Sequence, residues 1–127
     1  MGERKMRAVR GATTVEKDDA DLVVSATREL LATLAERNAF APEQVISAIF
    51  TVTPDITSEF PARAARELGW VDVPLLCALE IPTERGLAHC IRVLLHIETE
   101  LPRSALRHVY LRDAVELRPD LSGGSRD

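Results

Sequence analysis

Three charged residues stand inside otherwise apolar segments, and they are where chemistry is to be looked for. Arg92 interrupts Cys90-Ile-Arg-Val-Leu-Leu95, Glu80 interrupts Leu75-Leu-Cys-Ala-Leu-Glu-Ile81, and Arg10 interrupts Arg7-Ala-Val-Arg-Gly-Ala12. An unpaired ion inside a folded core costs several kcal/mol, so each needs a partner or a ligand. Two readings are open. In one, Arg92 and Glu80 form an ion pair that ties a sheet together. In the other, the arginines form an anion site, since a guanidinium binds a carboxylate through two parallel hydrogen bonds. Glu80 would then accept a hydrogen bond from a ligand hydroxyl.

Other constellations are weaker. His89, His96 and Cys90 have ligand chemistry, but His89 and His96 are seven apart and face opposite sides of a strand, so no metal site is expected. Cys77 as a nucleophile needs a nearby base, which the sequence does not supply; a structural thiol is the simpler reading. The chain shows no Ser-His-Asp signature, no phosphate-binding loop and no glycine-rich dinucleotide fingerprint. Arg63 and Arg66 share one helix face, read either as a solvated basic edge or as part of an anion site.

These residues need elements to position them. Met6–Val15 reads as a first strand. Lys17–Asn38 carries an apolar stripe at Leu22, Val23, Ala26, Leu30, Leu31 and Leu34, with Asp18, Asp19 and Asp21 near its start, which predicts one long helix. Pro42 opens a helical turn, Val45–Val52 is a β-branched strand, and Pro61 opens a short helix ended by Gly69. Strands are predicted over Val73–Ile81 and, within Leu87–Thr99, over Cys90–Glu98, with a turn over Pro102–Leu106 and short strands or turns over His108–Leu111 and Val115–Leu117. Residues 1–5 read as a loose extension and 120–127 as a flexible tail. The expected class is α+β: a mixed sheet of about five strands, one long helix and short helical turns. The segments Ile46–Val52 and Ile91–Ile97 are apolar on both faces, which predicts burial on both. One helix covers only part of such a sheet, so other copies of the chain are expected on the second face.

Composition narrows the classes. The 127 residues (14.0 kDa) make one domain, 46% hydrophobic and 28% charged, which is globular composition. A net charge of −4 and 4% aromatic residues argue against nucleic-acid binding. No apolar run reaches the roughly 18 residues of a membrane span, and Met1-Gly-Glu-Arg-Lys5 leads into no apolar leader segment. The expectation is a cytoplasmic protein with reduced cysteines. Only two of the 16 basic residues are lysines, leaving 16 − 2 = 14 arginines; codon usage accounts for the total.

Taken in order, seven pieces resemble the small, monofunctional, trimeric chorismate mutase family. They are Arg10-Gly-Ala-Thr-Thr-Val-Glu16; Thr53-Pro-Asp55; Phe60-Pro-Ala62 with Arg66-Glu-Leu68; Cys77 three before Glu80; Cys90-Ile-Arg-Val93; Arg107-His-Val-Tyr-Leu111; and Leu117-Arg-Pro-Asp-Leu121. The resemblance runs from about Met6 to Leu121. It implies a homotrimer forming a pseudo-α/β barrel, with clefts between neighbouring chains. The implied reaction is the Claisen rearrangement of chorismate to prephenate, on the route to phenylalanine and tyrosine, without cofactor or metal. By the same resemblance, Arg10 and Tyr110 hold the enolpyruvyl carboxylate, Arg92 reaches that carboxylate and the ether oxygen, and Glu80 and Cys77 meet the ring hydroxyl. Phe60, Arg63 and Arg66 line the cleft from an adjacent chain, Leu75 and Leu76 belong to its wall, and Leu117 and Arg118 close it. Departures from the family pattern are Arg63 for a lysine, Leu76 for a threonine, a less glycine-rich Glu84-Arg-Gly86 loop, and one residue fewer before Trp70. Two other classes fit the residue pattern alone: a non-catalytic carboxylate-binding trimer, and a deaminase or hydrolase of similar trimeric shape.

Overall fold

The computed structural model describes residues 3–117. The elements run β1 (Lys5–Thr14), α1 (Ala20–Asn38), β2 (Val45–Val52), α2 (Ala62–Glu67), β3 (Leu75–Leu79), β4 (Cys90–Thr99) and β5 (Val109–Tyr110). Short 3-10 turns occupy Pro42–Gln44, Arg103–Ala105 and Arg112–Leu117. This is the expected α+β class. The strands form one mixed sheet in the order β3-β2-β4-β1-β5, antiparallel where β4 meets β1 and β2, and parallel for β2 with β3 and β1 with β5.

The start of α1 is set by Asp19, whose carboxylate accepts the Leu22 N–H at 3.1 Å and so satisfies one orphan donor of the first turn. Its end is set by Ala39 in the left-handed region and by Asn38. The buried Asn38 amide donates to Leu34 O and Arg107 O, both at 2.9 Å, and its oxygen accepts the Arg107 N–H at 2.7 Å. One side chain therefore closes the helix and fastens the segment leading into β5.

The apolar stripe of α1 packs on one face of the sheet. Leu30, Leu31 and Leu34 join Val9, Phe50, Val93, Leu95, Ile97 and Val109 in the main core, and Ala62 and Ala65 of α2 pack into the same layer. Gly11 lets α1 approach: a Cβ there would lie 2.9 Å from Leu34 Cδ1 and 3.0 Å from Leu30 Cδ1. Both helices thus cover one face only.

Strand alternation sends the other side chains to the uncovered face. On β4, Ile91, Val93, Leu95 and Ile97 are buried while Arg92 is exposed and Leu94 and His96 are half-buried. Within one chain β4 is therefore buried on one face, and the expected burial of the other rests on further copies of the chain. Among the described residues, Ile49 and Leu94 on this face are only half-buried and Leu76 is 61% exposed. Some element bounds differ from those expected: β1 runs Lys5–Thr14, α1 begins at Ala20 and β3 is confined to Leu75–Leu79. Pro74 precedes β3, and β4 begins at Cys90 because His89 takes a left-handed φ of 50°.

Candidate active site

The register puts the charged residues in one row. On the uncovered face, Arg92 stands opposite Thr51 of β2 and Ala12 of β1, Thr51 stands opposite Ala78 of β3, and Ala12 opposite Tyr110 of β5. Ala12, between Arg92 and Tyr110 in this row, is fully buried. Arg10 lies two residues along β1, opposite Leu94. Arg10, Arg92, Tyr110 and Thr51, over a floor of Ile49 and Leu94, line one open depression of about 240 Å³.

Arg92 is oriented by Glu80. Its Nε lies 3.5 Å from Glu80 Oε2, and the Thr51 hydroxyl donates to the same oxygen. The side chains are 46% and 24% exposed. Arg92 is therefore not a buried ion needing rescue, as its apolar neighbours in sequence implied. Alternation points it to the uncovered face. The ion pair forms, and it leaves nearly half of the Arg92 side chain exposed. Beside Arg92, the Cys90 thiol is pushed up by burial, with the Arg92 charge and hydrogen bond acting in the opposite direction.

Two anchors hold the row's ends. The Arg10 N–H donates to His108 Nδ1 at 3.0 Å, and Leu111 N–H donates to Ala12 O at 2.9 Å, so the segment around Tyr110 is tied to β1. At the entry to β4, Asp55 accepts the His89 N–H at 2.9 Å and Thr53 Oγ1 accepts the Cys90 N–H at 2.9 Å. Burial would raise the Asp55 carboxyl; the Thr53 hydroxyl and the His89 N–H outweigh it and hold the carboxyl below its ordinary value.

The remaining expected residues lie elsewhere in the chain. Phe60, 66% exposed, and the half-buried Cys77 line a second depression of about 340 Å³ with Val52 and Leu79. Cys77 stands opposite the buried Phe50 and packs against the core from the helix-covered side, so its side chain does not join Arg92. Leu75 likewise packs against that core, whereas Leu76 points to the uncovered face. On α2, Arg63 binds Glu59 at 2.9 Å and Glu67 at 3.3 Å, and Glu67 also meets Arg28. Arg66 is exposed on the same helix. Leu117 is half-buried at the end of the last 3-10 turn, and Arg118 lies outside the described residues, as does the tail over 120–127.

His89 faces Asp55 at 3.8 Å and His96 meets Ser47 at 3.2 Å, and no group of three metal-ligating side chains occurs among the described residues. No described helix is long and apolar enough to cross a membrane. Reading the sequence missed Thr51 and the placement of Cys90 beside Arg92. Thr51 carried one usable signal: it shares strand parity with Ile49 on a segment predicted to pair.

The comparisons with known proteins agree with this geometry. A family model described as chorismate mutase type I matches residues 6–121. The chain is 45% identical over 118 residues to the chorismate mutase AroH of Bacillus subtilis (strain 168), covering 92% of this chain and 93% of that protein. It is 50% identical over 117 residues to the chorismate mutase AroH of Thermus thermophilus, covering 91% and 96%. Its fold is similar to the solved structure of a chorismate mutase from Clostridium thermocellum, with a TM-score of 0.84 and 44% identity over 85% of this chain and 96% of that one. A guanidinium pinned on an open sheet face, in a chain matched over nearly its whole length, leads to one conclusion: this protein belongs to the chorismate mutase type I family.

Proposed function

We propose that this protein, an isomerase by its family, converts chorismate to prephenate by holding the substrate against Arg92, in clefts completed by neighbouring copies of the chain. The observation that carries this reading is the Arg92 guanidinium, set by Glu80 at 3.5 Å and shared with Arg10 and Tyr110 in one depression.

The rearrangement is unimolecular. No proton moves and no covalent intermediate forms, so the site needs no nucleophile, base or cofactor. As the C–O bond lengthens, negative charge grows on the ether oxygen. A fixed cation there stabilises the transition state more than the ground state, and only that difference raises the rate. Arg92 is assigned this role. Arg10 and Tyr110 hold the enolpyruvyl carboxylate, and together they fold an extended substrate into the compact form that bond formation requires. Glu80 accepts a hydrogen bond from the ring hydroxyl. A dianionic substrate reconciles an acidic protein with a local arginine field.

The exposure of Leu76 and Phe60 supports a partner chain. Phe60, Cys77 and the α2 arginines do not meet Arg92 within one chain, and Leu76 and Phe60 are exposed apolar side chains. A homotrimer in which one copy's Phe60, Arg63, Arg66, Leu76 and Cys77 face the next copy's Arg10, Arg92 and Tyr110 buries the open face and closes the cleft. Leu117 and Arg118 would close it from the C-terminal side, and Leu75 supports the wall from the core. Arg63 is the least free of these, since it must share its charge with Glu59 and Glu67. A cytoplasmic location fits a chain of this composition acting on a small metabolite.

The test is loss of the chorismate diene absorbance without added metal or cofactor, together with mass in solution by light scattering. Turnover by a species of three chains supports the reading. A monomer that turns over chorismate sinks the shared cleft, and a trimer without turnover sinks the activity.

A further inference from the structure

Thr51 is the β2 residue over which the Arg92–Glu80 pair is built. It stands directly opposite Arg92 on β4 and Ala78 on β3, and it lines the same depression as Arg10, Arg92 and Tyr110. A carboxylate can only accept, so the Thr51 hydroxyl is the donor to Glu80 Oε2. That oxygen is also the one facing Arg92 Nε. Both contacts fall on Oε2, and Oε1 is left for the ligand among the described residues.

Glu80 needs such an anchor. It follows the last residue of β3, and its backbone N–H is held by Val52 O at 2.8 Å, but its side chain has left the ladder. A glutamate there has three rotatable bonds and water on one side. A half-exposed ion pair alone orients it weakly, because solvent screens the attraction. A short-range, directional bond from a strand-borne hydroxyl does not suffer that loss. Thr51 itself is rigid: it is β-branched, which restricts its χ1, and it lies within β2, paired with both β3 and β4.

Resting on the reading of Arg92 and Glu80 given above, we propose that Thr51 is a positioning residue of the active site, holding the Glu80 carboxylate so that Glu80 in turn fixes the Arg92 guanidinium at the reacting ether oxygen. Thr51 acts through Glu80 and need not touch the substrate. Its contribution falls on the transition state, where the Arg92 geometry counts, more than on ground-state binding.

The experiment is steady-state chorismate turnover by Thr51→Val, Thr51→Ser and Glu80→Ala, and by Thr51→Val combined with Glu80→Ala, with oligomer mass and Tm recorded for each. Valine keeps the branched shape and strand preference and removes only the hydroxyl. Thr51→Val is expected to lower kcat about 5- to 20-fold with KM changed less than about 3-fold, and Thr51→Ser to stay within about 2-fold of wild type. In the Glu80→Ala background the added valine is expected to change kcat less than about 2-fold, since the group it positions is gone. Equal losses in both backgrounds would mean that Thr51 serves strand packing, and the proposal fails. So it does if Thr51→Val turns over normally while Glu80→Ala is crippled, an outcome that leaves the reading of Arg92 and Glu80 standing. Normal turnover by Glu80→Ala removes that reading, and the role of Thr51 with it.

Discussion

Arg92 and Glu80 meet across an intervening strand. Arg92 is on β4 and Glu80 follows β3, with β2 between them, yet Nε and Oε2 are 3.5 Å apart. Neighbouring strands lie about 4.8 Å apart, so the two backbones are about 10 Å apart and both side chains must lean over Thr51. A pair that spans a strand in this way locks orientation. It adds little stability, because both members see solvent.

That distinction is testable with Glu80→Gln. The amide keeps the shape and one acceptor but loses the charge. Its effect on unfolding free energy is expected to be under about 1 kcal/mol in urea denaturation, as for a partly exposed ion pair, while kcat drops clearly. A large loss of stability with unchanged turnover would return the pair to a purely structural role.

Arg92→Lys keeps the charge and removes the planar fork. The expected result is a fall in kcat of about 10²–10³, the scale of one lost preorganised donor, with Tm and oligomer mass preserved. Near-normal turnover by this variant contradicts the assignment of Arg92 to the ether oxygen.

Asn38 and Gly11 carry the packing that positions Tyr110 and β1. Asn38→Ala leaves the Arg107 N–H and C=O without their partner, which is expected to cost about 1–3 kcal/mol. Gly11→Ala places a methyl against Leu30 and Leu34 and is expected to cost about 1–3 kcal/mol through overpacking. Urea midpoints measure both. A neutral Gly11→Ala would mean that α1 can slide away from the sheet at no cost.

The acid limb of stability has an identified contributor at Asp18. The Ser58 hydroxyl first, then the Thr57 N–H, lower its pKa from 3.8 to about 2. Thr57 N and Oγ1 reach Asp18 Oδ2 at 2.9 Å, and Ser58 N reaches Oδ1 at 3.0 Å. Its folded pKa is depressed, so its stabilisation is present above pH 3.8 and is lost as pH falls toward 2. Asp18→Asn is expected to be less stable at neutral pH and to show a shallower decline between pH 4 and pH 2. An unchanged slope excludes this carboxylate as a source. The loop it holds leads directly to Phe60.

Periodicity and local chemistry are enough to determine most of the elements. The α1 stripe, the caps around it and the bounds of Val45–Val52 are short-range facts, written in residues that are neighbours in the chain. The seven motif pieces likewise identify the family, because their order and spacing survive without knowing where each side chain points. Tertiary structure alone decided which charged residues meet. Whether Arg92 joins Glu80, Thr51 and Tyr110, or turns toward α1, depends on register between strands whose paired residues lie from 91 − 52 = 39 to 109 − 11 = 98 positions apart, and a slip of one residue reverses every side chain. The same pairing showed that Arg92 is open and not buried, and that Cys77 and Glu80, three apart in sequence, face different sides of the sheet.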